Sequence, residues 1–415
     1  MMNIIYLSYD GMTDPLGQAQ VLPYITGLSQ KGVRVTLISF EKKERYVSGK
    51  STIQRICTEN NIDWQPFFYT KDPPILSTLW DIFRLNKKIK QLQKKKQVSL
   101  IHCRSYITAL IGLGFKKRHN IPFLFDMRGF WADERIDGNI WNIKMSHYKW
   151  IYNFFKRKEK EFLSHADYTV SLTYTGKHEI ESWQLNKPSP IEVIPCCTDT
   201  RLFNNDFINV ENQSLLRTKL NLTEKDNIIS YLGSLGTWYM LDEMLDFFSV
   251  FIDKNSDNKA LFITKDNPAN IIKIARSKNL DLSKLIIVSS ERRDVPLYLS
   301  LSKASVFFIK PLFSKKASSA TKMGEIMNLG IPVICNDIGD NSSILADISP
   351  ELMVKNFNTE EYNRVLESLT KIDSDTFRSK IIHKARTYFS LETGINKYWK
   401  IYKSIAQQYP FEHGK

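Results

Sequence analysis

Four short segments of this sequence combine residue types that suit transfer of a group carried on phosphate. HCRSY (102–106) and FDMRGFWADERIDG (125–138) deliver His102, Arg104, Asp126 and Arg128 to the ends of two apolar runs. Charged groups at the ends of buried strands are costly unless they are paired or used. They serve either as a structural Asp–Arg pair or as acid–base groups beside a reacting centre. KKASSATKMGEIMNLGIPVICN (315–336) places Ser318, Ser319 and Thr321 where a helix should start, with Lys322 in its first turn and Glu325 one turn on. Ser or Thr followed by Glu is a helix-capping arrangement. The same positions can leave backbone N–H groups for a diphosphate, with Lys322 as a point charge and Glu325 accepting from ribose hydroxyls. GSLGT (233–237) sets Gly233 and Ser234 in a Gly-x-x-Gly turn, either an anion nest or a plain turn. YDGMTDPLGQ (9–18), with Gly11 and Gly17, leads into a helix, so its N–H groups could face a phosphate. Its glycines could equally serve a turn of positive φ.

The elements that must hold these segments alternate. NIIYLS (3–8), VRVTLISF (33–40), VSLIHC (98–103), IPFLFDM (121–127), DYTVSLT (167–173) and IEVIP (191–195) read as strands. Helices are expected over 18–31, 77–97 and 105–119. The rhythm restarts after the polar stretch NNDFINVENQS (204–214) with DNIISYLGS (226–234), ALFIT (260–264), KLIIVSS (284–290), ASVFFIK (304–310) and IPVICN (331–336). Strands alternating with helices imply parallel sheets. The fold class expected is α/β, with two doubly wound Rossmann-like domains over residues 1–200 and 201–389, facing across a cleft. A last helix at 390–410 is expected to return to the first domain, because Ile395, Tyr398, Trp399 and Tyr402 repeat at helical spacing. In such sheets ligands sit at the C-terminal ends of strands.

Composition narrows the class. At 415 residues, with 42% apolar and 25% charged residues, the chain reads as a soluble protein of two domains. Its start lacks a basic region followed by a long apolar stretch, and no apolar run reaches the roughly 18–20 residues of a spanning helix. Five cysteines without a CxxC pair fit reduced thiols in a cytosol. The net charge of +14 implies an anionic partner. Basic residues scattered among helices, with no nucleic-acid module, argue against nucleic acid.

The chain resembles glycosyltransferase family 4, the retaining enzymes of the GT-B fold, along nearly its whole length. VIPCCTDTRLF (193–203) is similar to the family's linker entrance, and YLGSLGTWYMLDEML (231–245) to its second-domain phosphate loop. SSATKMGEIMNLGIPVICN (318–336) resembles its paired-Glu region, the most specific of these motifs. SYDGMTDPLGQAQVLPYI and FDMRGFWADERIDG resemble a subgroup associated with bacterial surface polysaccharide synthesis. The resemblance implies that Gly17 lies near donor phosphates, that Asp126 acts near the acceptor and the scissile bond, and that Glu325 binds ribose. It also implies that Ser318 and Ser319 form the diphosphate-binding turn. Ala317 stands where the first Glu of the pair would fall, and Ser234 where an Arg is usual. Lys322, Lys265 or Arg292 could supply the lost positive charge.

The function implied is transfer of a sugar from a nucleotide-sugar donor to a glycan or lipid-linked acceptor, by front-face attack. No cofactor or metal is expected. Asp373-Ser374-Asp375 matches an Asp-x-Asp metal motif in letters, but it precedes a late helix and reads as a cap. Rival readings are a sugar-nucleotide epimerase or hydrolase and a non-catalytic sugar-nucleotide-binding protein. The expected location is cytoplasmic, peripheral at the inner face of the membrane. FRLNKKIKQLQKKK (83–96) is basic and free of acids, and the stripe Ile82, Leu85, Ile89, Leu92 should pack on the sheet. Its lysines would then meet anionic headgroups by charge rather than by insertion. YKWIYNFFKRKEK (148–160) adds aromatic bulk beside a second basic cluster.

Overall fold

The computed structural model describes residues 2–73, 75–95, 97–372 and 374–409, so Lys96 and Asp373 lie outside the described residues. The chain divides into two units. One runs through Pro195 and takes in Lys316–Ser318 and the chain from Leu391 onward; the other comprises Cys196–Lys315 and Ser319–Ser390.

The first unit is built on β1 (Asn3–Ser8), β2 (Arg34–Glu41), β3 (Asp63–Phe68), β4 (Leu100–Arg104), β5 (Phe123–Asp126), β6 (Tyr168–Ser171) and β7 (Ile191–Val193). All pair in parallel, in the order β3-β2-β1-β4-β5-β6-β7. The order reverses between β1 and β4, the kind of point where open α/β sheets bind ligands. Register aligns Tyr6 with His102, Ser8 with Arg104, and Arg104 with Asp126. Side chains alternate between faces. One face therefore carries Ile5, Leu7, Ile101, Cys103, Phe123 and Phe125 into a core shared with helices Leu76–Lys95, Ser105–His119 and Ser146–His165. The other face carries Tyr6, His102 and Asp126 toward helix Leu391–Gln408, which also packs on helix Leu22–Gln30.

Among the differences from expectation, two have a local cause. The helix read over 18–31 is two helices, Pro15–Gln20 and Leu22–Gln30, broken at Val21. Pro23 in the first turn of the second cannot donate a hydrogen bond backward, which favours a fresh start. Strand β3, not expected from the sequence, contains Pro66; a strand with proline is confined to a sheet edge, which is where β3 lies.

The second unit has six parallel strands: β8 (Asn227–Leu232), β9 (Asn258–Ile263), β10 (Leu285–Val288), β11 (Ala304–Phe307), β12 (Val333–Asn336) and β13 (Met353–Val354). Their order is β10-β9-β8-β11-β12-β13, reversing between β8 and β11. The turn Gly233–Gly236 follows β8, and helix Thr321–Asn328 lies between β11 and β12. Both expected ligand-binding segments thus flank the reversal point. Among the described residues no helix is long and apolar enough to cross a membrane.

Candidate active site

In the first unit His102 and Asp126 form a buried cluster with two tyrosines of the last helix. Tyr402 Oη lies 2.7 Å from His102 Nδ1, and His102 Nε2 lies 3.4 Å from Asp126 Oδ2. Tyr398 donates to the same Oδ2 at 3.1 Å. Tyr6 stacks on the imidazole at 4.1 Å. With Tyr402 donating to Nδ1, His102 carries its proton on Nε2, facing Asp126. Burial pushes the His102 pKa below its ordinary value, so the ring is neutral. Burial alone would raise the Asp126 pKa, but Arg128, His102 and Arg104 outweigh it and hold the carboxyl below its ordinary range. Asp126 Oδ1 is buried and accepts no hydrogen bond; the Arg128 guanidinium is 3.7 Å away. Arg128 itself adopts φ +58°, a conformation uncommon outside glycine. Arg104 pairs with Asp10 at 3.4 Å. An acidic carboxylate with one oxygen fixed and the other without a donor can orient a hydroxyl group brought to it.

The loop after β1 is fastened from below. The buried Glu41 carboxylate accepts from Met12 N at 2.8 Å, Thr13 N at 3.0 Å, Thr13 Oγ1 at 2.6 Å and Ser39 Oγ at 2.6 Å. Two N–H groups that could have faced a phosphate are therefore taken. Neither Gly11 nor Gly17 has positive φ. What they supply is room: a Cβ on Gly17 would meet Gly11 O at 2.2 Å, and one on Gly11 would meet Glu41 Oε2 at 2.7 Å. The structure accounts for Gly17 by this close approach, and it lies in helix Pro15–Gln20, buried against the loop.

The second unit gathers Gly233, Lys322 and Glu325. Lys322 is buried, donates to Tyr231 Oη at 3.0 Å, and lies 3.6 Å from the centroid of the Tyr239 ring. Gly233, at φ +105°, leaves space for it, since a Cβ there would meet Lys322 Cε and Nζ at 3.3 Å. Burial drives the Lys322 pKa well below the ordinary lysine value, against the pull of Glu325 and Asp266. Burial raises the Glu325 pKa, opposed by Arg292, whose Nη2 pairs with Glu325 Oε1 at 2.7 Å, and by Lys322. Ser234 is exposed, and its carbonyl accepts from Tyr231 Oη at 2.6 Å. The Asp266 carboxylate accepts from Leu235 N at 2.5 Å, holding the turn.

Helix Thr321–Asn328 starts at Ala320 without a side-chain cap. Neither Ser318, Ser319 nor Thr321 closes the end as a capping box would. Ser319 Oγ instead accepts from Cys196 N at 3.2 Å. Ser318 is half-buried and belongs to the short stretch that clusters with the first unit. In that stretch the Lys316 carbonyl accepts from Thr173 Oγ1 at 2.7 Å, and Ala317 is buried against Gly176, where an added Cβ would come within 2.7 Å of Ala317 Cβ. Ala317 is buried, so a glutamate in its place would have to displace its neighbours and bury a carboxylate. Of the other candidate cations, Arg292 joins Glu325, while Lys265 pairs with Glu291 at 2.7 Å on the surface. Asp375 falls in the first turn of helix Ser374–Tyr388. Among the described residues no group of three or more His, Cys, Asp or Glu could hold a metal ion.

Sequence reasoning missed Tyr231, Tyr239 and Glu41 altogether. It registered Tyr398 and Tyr402 only as part of an apolar stripe. Their four-residue spacing puts both on one side of the helix but does not say what their hydroxyls meet.

Comparison with known proteins agrees with this architecture. The model of Glycosyltransferase Family 4 matches residues 20–202, and that of Glycosyl transferases group 1 matches residues 212–388. No curated protein matches by sequence. A glycosyltransferase from Rickettsia africae superposes with a TM-score of 0.72 at 15% identity, covering 98% of this chain and 99% of its own. An Anabaena protein in complex with UDP and glucose gives 0.70 at 13%, covering 97% and 100%. WaaG, a glycosyltransferase involved in lipopolysaccharide biosynthesis, gives 0.66 at 14%, covering 96% and 99%. With one glycosyltransferase model on each unit and both sheets built as in solved GT-B structures, this chain is a glycosyltransferase of the GT-B fold.

Proposed function

We propose that this enzyme transfers a sugar, with retention of configuration, from a nucleotide-sugar donor to a glycan or lipid-linked acceptor in bacterial cell-surface polysaccharide synthesis. The observation that carries the reading is helix Thr321–Asn328, whose first turn lacks a side-chain cap and holds buried Lys322 beside Gly233, with Glu325 one turn on. Helix N–H groups and an ammonium suit the diphosphate, and the Glu325 carboxylate suits ribose hydroxyls. Relatives of the same fold lend support: one is described with UDP and glucose, another as acting in lipopolysaccharide biosynthesis.

In this mechanism the bond between the anomeric carbon and the diphosphate oxygen breaks. Negative charge grows on the leaving oxygen, where Lys322 and the helix N–H groups stabilise it. The acceptor hydroxyl attacks from the same face, and its proton passes to the leaving phosphate. Asp126, held by Tyr398 and His102, orients that hydroxyl through Oδ1. No divalent metal is required by this arrangement, and activity retained in EDTA would support that part of the proposal. The proposed location is the cytoplasm, against the anionic inner face of the membrane, where a lipid-linked acceptor would be found.

A thermal-shift screen with UDP, GDP, CDP and dTDP tests the donor reading. A nucleotide at a hundred times its dissociation constant stabilises by about 2.7 kcal/mol. No shift with any of them would overturn it. The anomeric configuration of the product, read by NMR, tests retention.

A further inference from the structure

Helix Leu76–Lys95 has two faces of opposite fate. Leu85, Ile89 and Leu92 are buried in the core of the first unit, with Ile82 packed partly against it. Away from the core, Leu76, Leu79, Trp80 and Phe83 are 63%, 55%, 54% and 57% exposed. Lys87, Lys90 and Lys94 are exposed as well. Each step along this series is three or four residues, apart from the adjacent pair Leu79 and Trp80, so one stripe of the helix carries them all. The stripe is apolar over its first two turns and cationic over the remainder. Trp80 and Phe83 stack at 5.6 Å between centroids, and Ile75, 44% exposed, lies just before the helix. The one acid of the helix, Asp81, is fully buried, accepting from Tyr9 Oη at 3.0 Å and from Thr70 N and Oγ1 at 3.1 and 2.9 Å. It does not offset the lysines at the surface.

Single exposed apolar residues are ordinary, but large contiguous groups mark binding surfaces. The order along this face selects the occupant. Trp and Phe favour the boundary between acyl chains and headgroups, while lysines reach outward to anionic phosphates. At 1.5 Å per residue, Lys94 lies about 17 Å along the axis from Phe83. We propose that this face docks obliquely on an anionic bilayer, with Leu76, Leu79, Trp80 and Phe83 inserted in the interface and Lys87, Lys90 and Lys94 on the headgroups. This deepens the peripheral-membrane reading above, on which it rests, and replaces contact by charge alone with insertion.

Full-length protein is floated with vesicles of phosphatidylcholine alone and of equimolar phosphatidylcholine and phosphatidylglycerol, at low and high salt, without any sugar donor. Wild type is expected to bind the anionic vesicles and to keep part of that binding in high salt, because insertion is not screened. Leu79→Ser with Phe83→Ser should weaken partitioning roughly tenfold or more. Lys87→Gln, Lys90→Gln and Lys94→Gln together should remove the salt-sensitive part. Trp80→Phe should still bind, but lose the fluorescence quenching that brominated acyl chains cause in wild type. That readout stands even if the serine variant folds poorly. Salt-sensitive binding with no quenching of Trp80 would overturn insertion while leaving the membrane reading in place. Absence of binding to anionic vesicles would overturn both. A dimer abolished by Trp80→Ser, without vesicle binding, would assign the face to a second copy and overturn the proposal. None of these outcomes bears on the glycosyl-transfer reading, which the donor screen tests separately.

Discussion

Tyr402 Oη lies 2.7 Å from His102 Nδ1, joining residues 300 positions apart in the chain. The last helix thus supplies two hydroxyls, from Tyr402 and Tyr398, to the cluster that ends on Asp126. Tyr398→Phe removes one of the two donors to Asp126 Oδ2 and leaves a buried carboxylate less satisfied. The first unit should lose about 1–3 kcal/mol of stability. If Asp126 orients the acceptor, turnover should fall more than donor affinity. Urea unfolding together with steady-state kinetics checks both.

The His102 pKa is lowered by burial, so the folded state resists taking a proton that the unfolded chain accepts. Stability should therefore hold above about pH 6.5, the ordinary histidine value, and fall as pH drops below it. Asp126, whose pKa is also lowered, loses its contribution only below the ordinary aspartate range, as pH falls through its folded value. The two windows separate. Melting temperature measured from pH 8 to pH 5 should decline at the acid end in wild type, and less steeply in His102→Gln.

Lys322 is a buried ammonium whose charge is unfavourable in the free enzyme. A buried lysine amine carries a desolvation cost that a methionine of similar length does not. Lys322→Met should leave the melting temperature unchanged or higher, while nucleoside-diphosphate affinity falls by about tenfold or more if Lys322 meets phosphate, a loss of about 1.4 kcal/mol. Glu325→Gln should weaken nucleotide binding by about 1.5–3 kcal/mol. Calorimetric titration of both variants checks this; unchanged affinity in both would remove this helix from the donor site.

Ala317 fills the position where the resemblance would place a glutamate, and it is pressed against Gly176. Ala317→Glu should not raise activity. It should lower the melting temperature, because the larger side chain must displace backbone and bury a carboxylate beside it. A stable, more active variant would show that the stretch 316–318 can move aside.

Much of the second unit's candidate site was legible in the sequence, because its parts are local. Gly233 and Ser234 follow a strand, and Lys322 and Glu325 share one turn of a helix, so strand-to-helix periodicity alone brings each pair to its place. The apolar stripe of Leu85, Ile89 and Leu92 was legible for the same reason. Register in parallel sheets likewise puts Arg104 and Asp126 in one row once both runs are read as neighbouring strands. Other relationships span long separations, which no local pattern encodes. The capture of the loop after β1 by Glu41, the aromatic surroundings of Lys322, and the delivery of Tyr398 and Tyr402 to His102 and Asp126 are of this kind. The amino-acid sequence determined which residues could do chemistry and which elements would carry them. Tertiary packing decided which of them are buried together, because burial and long-range hydrogen bonding depend on what folds over each face.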